Sequence, residues 1–227
     1  MDFKTQVAAL TKALRAAGTP ERAEQEKRYL KSDLSHAGAS VPKVRAIAKG
    51  WLAAHPSLTH DELVGLVRAL FDSPWYEPRA VGVMLLEARV TLLTKKDVPL
   101  LEHLLRRAKT WALVDELAPS VMGLLVERDP SLVRVLRRWA KDPDFWVRRA
   151  ALLSLLLPLR RGDGDFELFT ELAVPMLSEK EFFVRKAIGW ILREVSKKRP
   201  ALVKRFVRQH GAAMSGLTLR EATKYLP

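Results

Sequence analysis

The sequence predicts an all-α protein made of stacked helical pairs, and three observations carry that prediction. Apolar residues recur at helical spacing almost throughout, alternating strand patterns are absent, and a short basic-then-alanine step returns at a near-constant interval. With 227 residues, 48% of them hydrophobic, the chain can bury a core as one large domain spanning 1–227 or as a run of repeats.

The helices follow from periodicity and from the residues that interrupt it. Val7, Leu10 and Leu14, and later Leu63, Leu66, Val67 and Leu70, fall on one face of a 3.6-residue helix. Breaks are expected at Gly18-Thr19-Pro20, Ser40-Val41-Pro42, His55-Pro56-Ser57, Ser73-Pro74, Asp129-Pro130-Ser131, Asp142-Pro143, Gly162-Asp163-Gly164 and Arg199-Pro200. The pieces between them are mostly helix-sized, and β-branched residues never cluster as a strand would require.

The repeat is seen in Val44-Arg45-Ala46, Pro78-Arg79-Ala80, Arg148-Arg149-Ala150, Arg185-Lys186-Ala187 and Arg220-Glu221-Ala222. Its closest pair is Asp144-Phe145-Trp146-Val147-Arg148-Arg149-Ala150 against Glu181-Phe182-Phe183-Val184-Arg185-Lys186-Ala187. Positions 45, 79, 149, 186 and 221 leave a gap that Asp115 fills, giving intervals of 34, 36, 34, 37 and 35. Helical pairs of that length, HEAT-like in kind, stack into a curved α-solenoid with a concave face. An acid in this column is ordinarily structural, capping a helix or pairing between neighbouring repeats. Its company is what suggests more.

Lys and Arg number 39 against 26 for Asp and Glu, a formal charge of +13. Such a balance points to phosphate, in nucleic acid or at an anionic membrane surface. The basic residues come in groups that follow the repeat, among them Arg106-Arg107 with Lys109, Arg148-Arg149 and Arg185-Lys186, so a basic concave stripe is expected. There are no cysteines, which excludes disulfides, thiolate metal sites and Cys nucleophiles. The five histidines form no HExxH and no helical pair, so no metal site is expected, and no Gly-rich loop has the spacing to cradle a nucleotide. No apolar run is long enough to span a bilayer and Met1 to Gln6 lack the layout of a signal peptide, so a cytoplasmic location is expected.

Thr110-Trp111-Ala112-Leu113-Val114-Asp115-Glu116-Leu117-Ala118-Pro119 concentrates the chemistry. Residues i and i+4 lie one above the other on a helix, so Trp111 and Asp115 share a face, and Glu116 is turned about 100° away. A carboxylate beside an indole, in a chain otherwise so basic, suits a protein that grips a polyanion and needs one negative charge at one spot. Trp190 stands one turn beyond Lys186. Both it and Trp111 fall within a turn of the repeat column, at helix ends expected to face the groove. Gly189 beside Trp190 leaves room for a close approach, either by a ligand or by a packed helix.

These residues resemble the AlkD family of bacterial alkylpurine DNA glycosylases, and the resemblance runs nearly end to end. It rests on Trp111-x-x-x-Asp115 with Ala118-Pro119, on Phe145-Trp146-Val147-x-Arg149-Ala150-Ala151, and on Lys180-Glu181-Phe182-Phe183-Val184-x-Lys186-Ala187-Ile188-Gly189-Trp190-x-Leu192-Arg193-Glu194. Pro20-Glu21-x-Ala23-Glu24 through Arg28-Tyr29-Leu30-Lys31 resembles the family's lesion-side helix. The resemblance implies Asp115 as the catalytic carboxylate, Trp111 and Trp190 flanking the damaged nucleotide, and Arg149 on the DNA backbone. With the basic groups it makes Tyr29, Arg45, Lys109, Arg148, Arg149, Arg185 and Lys186 the expected DNA contacts. It implies a hydrolase of N-glycosyl bonds, without cofactor and without base flipping, acting on double-stranded DNA that contains N3- or N7-alkylated purines. No lysine sits in a visibly apolar setting, which favours a monofunctional enzyme, and a monomer is the default for such a repeat. Thr110 and Ala112 depart from the family, which places a second aromatic and a polar residue there.

Overall fold

The computed structural model describes residues 1–226; Pro227, the last residue of the expected domain, lies outside them. The described residues form helices joined by turns, with no strand among them and a lone parallel bridge between Ser35 and Trp75. The all-α prediction holds, and each predicted break falls at or beside a helix end.

Local chemistry opens the helices of the first compact unit, Met1–Leu117. The Asp2 carboxylate accepts the Lys4 N–H ahead of α1 (Phe3–Ala17), and the Thr19 hydroxyl accepts the Arg22 N–H ahead of α2 (Pro20–Leu30), whose first residue is proline. Helix α3 (Val41–Ala54) also carries its proline in the first turn, and α4 (His60–Asp72) begins with a reciprocal Thr59–Glu62 capping box. Helices α5 (Tyr76–Ala88), α6 (Val98–Arg107) and α7 (Trp111–Leu117) complete the unit. Leu14, Leu63, Leu66, Val67 and Leu70, on the faces the periodicity marks, are fully buried.

The second unit starts at Ala118 with a π-helical segment, Ala118–Gly123, and α8 (Leu124–Arg128). It continues through α9 (Val133–Trp139), α10 (Phe145–Leu153), α11 (Leu156–Arg161), α12 (Phe166–Ala173), α13 (Phe182–Ser196), α14 (Pro200–His210) and α15 (Gly216–Thr223). Its core gathers Trp139, Leu152, Phe169, Val184, Ile188 and Ile191. Several breaks carry no Gly or Pro and escape a composition-based reading. Helix α10 ends at Ser154, whose hydroxyl bonds back to the Ala150 carbonyl at 2.7 Å, and Thr94 caps a turn of 3-10 helix ahead of α6.

The structure corrects the register of the basic column. Arg79, Arg148 and Arg185 are the fourth residues of α5, α10 and α13, and each guanidinium bonds the carbonyl six residues earlier, at Ser73, Asp142 and Glu179. The fifth positions form a separate column, which reads Arg45, Ala80, Asp115, Arg149, Lys186 and Arg220. Arg79 and Glu221 therefore leave the column in which the sequence pattern placed them, each by one residue. Asp115 stays in it as the one acid.

Arg79 is a structural residue by its bonds as well as its burial. Five per cent exposed, it donates Nε–H to Ser73 O at 2.9 Å and a terminal N–H to Arg107 O. Hydrogen bonds from charged donors contribute about 1.5–3 kcal/mol, and two main-chain carbonyls, that of Ser73 buried, lose their partner together if the guanidinium goes. Arg79→Met is expected to lower the unfolding free energy by about 2–4 kcal/mol, read from chemical denaturation.

Candidate DNA-lesion site

In the first unit the candidate site is set by how α7 begins. Lys109 takes a left-handed conformation (φ 55°), turning the chain after α6 so that Thr110 can cap the start of α7. The Thr110 hydroxyl accepts from the Ala112 N–H at 3.4 Å and donates to the Leu30 carbonyl at 3.1 Å. That carbonyl lies at the end of α2, where Lys31 is the left-handed cap residue (φ 48°). Thr110 is thus buried and occupied with the main chain, which accounts physically for a small polar residue where the family resemblance implies an aromatic.

The same tie brings α2 to Trp111. Tyr29, 71% exposed, meets the indole edge-on with ring centroids 5.5 Å apart and planes at 81°. Asp115 lies one turn on, on the face of Trp111, and is partly exposed. Pro119 has no N–H to offer the carbonyl four residues back, and the chain passes at Ala118–Gly123 from α to the wider π form.

Glu116, which the sequence pattern set aside as turned away, shapes the electrostatics. Burial pushes its carboxyl above the usual range, Glu87 and Asp115 push the same way, and Arg45 opposes them. Burial and then Glu116, Glu26 and Glu77 likewise raise the Tyr76 hydroxyl. Arg45 is exposed and is a wall, with Lys49 and Glu87, of an open groove of about 400 Å³. Lys109 is exposed as well.

In the second unit most expected DNA contacts also hold the fold. Arg149, 2% exposed, donates to the Phe183 carbonyl and places its guanidinium 5.9 Å from the centre of that ring. Arg148 bonds the Asp142 and Pro143 carbonyls and pairs with Glu179 at 2.6 Å. Arg185 is half-buried on the Glu179 carbonyl, while Lys186 pairs with Glu221 at 2.6 Å and is partly exposed. Burial pushes Glu221 up, but Lys186 and Arg193 outweigh it and hold the carboxyl below its ordinary value.

Trp190 is partly exposed, with the Arg160 guanidinium 5.9 Å from its ring centre. Gly189 serves packing: a Cβ there would come within 2.6 Å of the Glu221 Cβ, so glycine lets α15 approach α13. Two features of this unit escaped the sequence reading. Arg160 over Trp190 has no local signature, being thirty positions away. Phe145, Trp146, Phe182 and Phe183 form one aromatic group, with Trp146 and Phe183 centroids at 4.9 Å, although their paired spacing registered only as a repeat.

A family described as DNA alkylation repair enzyme matches residues 10–226. The chain belongs to that family. Among curated proteins no relative matches it. Among solved structures it is similar to a protein described as a predicted DNA alkylation repair enzyme from Enterococcus faecalis, at 25% identity and a TM-score of 0.83, over 92% of this chain and 96% of that one. AlkD2 from Streptococcus mutans shares the fold at 17% identity, with a TM-score of 0.71 over 99% of both chains. A second Streptococcus mutans protein does so at 18% identity and a TM-score of 0.64, over 91% of this chain and 98% of that one. The helical-repeat fold is therefore that of AlkD-like proteins. DNA is the substrate that membership of a DNA alkylation repair family implies.

Glu116 offers a test of the charge distribution around Asp115. Its carboxyl is raised, so the folded protein holds that proton more tightly than the unfolded chain. Stability then falls as pH rises from the unfolded value through the folded one. Glu116→Gln is expected to raise the melting temperature at neutral pH, with the gain fading as the pH drops below the ordinary glutamate range. A lower melting temperature at neutral pH would contradict it.

Proposed function

We propose that the protein is a monofunctional DNA glycosylase, acting as a monomer, that hydrolyses the N-glycosidic bond of N3- and N7-alkylated purines in duplex DNA. One observation carries this reading: a carboxylate, Asp115, one helical turn from an indole, Trp111, which is itself braced edge-on by the exposed Tyr29. Family membership and the likeness to the Enterococcus faecalis protein support it.

The chemistry follows from the substrate's charge. A purine alkylated at N3 or N7 is cationic and leaves without protonation, so the general acid that an ordinary glycosidase needs is dispensable. As the glycosidic bond lengthens, positive charge moves onto the deoxyribose. The Asp115 carboxylate stabilises that oxocarbenium-like state and holds the water that attacks C1′. A preorganised charge of this kind contributes roughly 3–4 kcal/mol, or about 10²–10³ in rate. The Trp111 face adds a cation–π attraction on the order of 0.5–2 kcal/mol and keeps water from screening the carboxylate.

Tyr29, Arg45 and Lys109 are the proposed DNA contacts of the first unit, all of them exposed. In the second, Trp190 and Lys186 are proposed to meet the DNA directly. Arg148 and Arg185 are proposed to meet phosphate while keeping their carbonyl bonds, and the buried Arg149 to hold the Phe183 carbonyl behind them rather than to touch the DNA. Selectivity then comes from the lability of the cationic base held on an open surface, without flipping the base into a pocket.

The test is release of 7-methylguanine from methylated duplex DNA by the wild type and by Asp115→Asn. Release by the wild type is expected, falling about 10²–10³-fold in a variant that still binds the duplex. Equal release by both proteins would remove Asp115 from the chemistry. Duplex binding without release by either would leave a DNA-binding protein and no glycosylase.

A further inference from the structure

The first unit brings together three ligating side chains that the proposed reaction does not use, two of them buried. They are Glu26 on α2, His36 in the 31–40 segment, and Glu77 in the first turn of α5, and one ligand atom of each lies within 4.8 Å of the other two. Glu77 is 0% exposed and His36 8%. The surrounding backbone is fixed. Ser35 N–H donates to Pro74 O and Tyr76 N–H to Ser35 O, each at 2.9 Å, and the Glu77 carboxylate accepts the Ala37 N–H at 2.8 Å and the Gly38 N–H at 2.7 Å.

What the cluster lacks is hydrogen-bond partners for some of its buried polar atoms. Glu26 Oε1 is held by Arg22 at 2.8 Å, but Glu26 Oε2 is buried with no hydrogen-bond partner, and so are both ring nitrogens of His36. Buried polar atoms are almost always paired, so three orphans in one small space need an occupant. A proton on the ring would serve one carboxylate through each nitrogen at best. A divalent cation would bond one atom of each of the three groups at once, with Arg22 left on the other oxygen of Glu26. Two carboxylates and one imidazole, with a further position for water, match the preferences of zinc, whereas calcium and magnesium favour oxygen-only shells. Bonds of about 2.0–2.1 Å would draw the ligand atoms to roughly 3.3 Å apart, a change within reach of the Glu26 and His36 side chains.

We propose that Glu26, His36 and Glu77 form a structural site for a divalent transition-metal ion of the zinc class, clipping α2 to the 31–40 segment and to the start of α5. The site is independent of the glycosylase reading. It bears on the lesion face only through α2, which carries Tyr29 three residues beyond Glu26. The sequence reading expected no metal, because ligands at 26, 36 and 77 have no motif spacing and converge only through the turn after α2.

The full-length protein, stripped with chelator, is titrated with Zn²⁺ alone, following heat of binding and melting temperature. One tightly bound equivalent and a rise in melting temperature are expected. Glu26→Gln keeps its volume and His36→Phe keeps the ring stacked on Tyr76, whose centroid is 5.1 Å away. Each is expected to weaken binding more than about a hundredfold, beyond the loss typical of an outer-shell partner. Should His36→Phe fail to fold, Glu26→Gln decides. No zinc-dependent rise in the wild type, or one-to-one binding that the folded variants retain, would overturn the site.

Discussion

The fold depends on guanidinium groups bonded to main-chain carbonyls. A stack of helices has no sheet to lock one pair to the next, and the carbonyls at helix ends and in the turns have no partner within their own helix. In this chain arginine supplies one. Arg79 bonds the carbonyls of Ser73 and Arg107, Arg148 those of Asp142 and Pro143, Arg185 that of Glu179, and Arg199 that of Gly164. The planar fork of arginine suits this where a lysine ammonium would not, because two or more donors reach separate acceptors at once. These arginines are thereby engaged in architecture, while Arg45 and Lys109 are exposed and Lys186 is partly exposed.

Against that cationic background the position of a single acid acquires meaning. Asp115 occupies the fifth position of its helix, where other repeats place Arg45, Arg149, Lys186 and Arg220. The neighbouring Glu116 carries the cost of burial, which raises its carboxyl. Trp111 is positioned by its backbone, since the Thr110 hydroxyl fixes both the start of α7 and the end of α2 that brings Tyr29 to the indole. Thr110 and Tyr29 are far apart in sequence and act on the same few ångströms of surface.

How much of this was legible in the sequence depends on the range of the interaction. Caps and prolines act within a turn, so Thr19-Pro20 and Thr59 with Glu62 could be read directly, as could the shared face of Trp111 and Asp115. The repeat was legible too, but not its register, because basic-Ala steps at the fourth and fifth helix positions look alike until a guanidinium is seen to bond the carbonyl six residues back. Nothing local could have found Tyr29 against Trp111, Arg160 over Trp190, or Glu26 with His36 and Glu77. Those pairings are made by turns that carry segments distant in the chain onto one another. Gly189 could be read either way, and the approach of α15 decides for packing.

The central claim is that a fixed carboxylate assists the departure of a base that already carries positive charge, with little recognition of the base itself. The most direct measurement is single-turnover excision of 7-methylguanine and of hypoxanthine from otherwise identical duplexes by the wild-type protein. The account predicts release of the cationic 7-methylguanine and no measurable release of neutral hypoxanthine. Comparable rates for the two would contradict it, because the protein would then have to supply the leaving-group activation that the account assigns to the lesion.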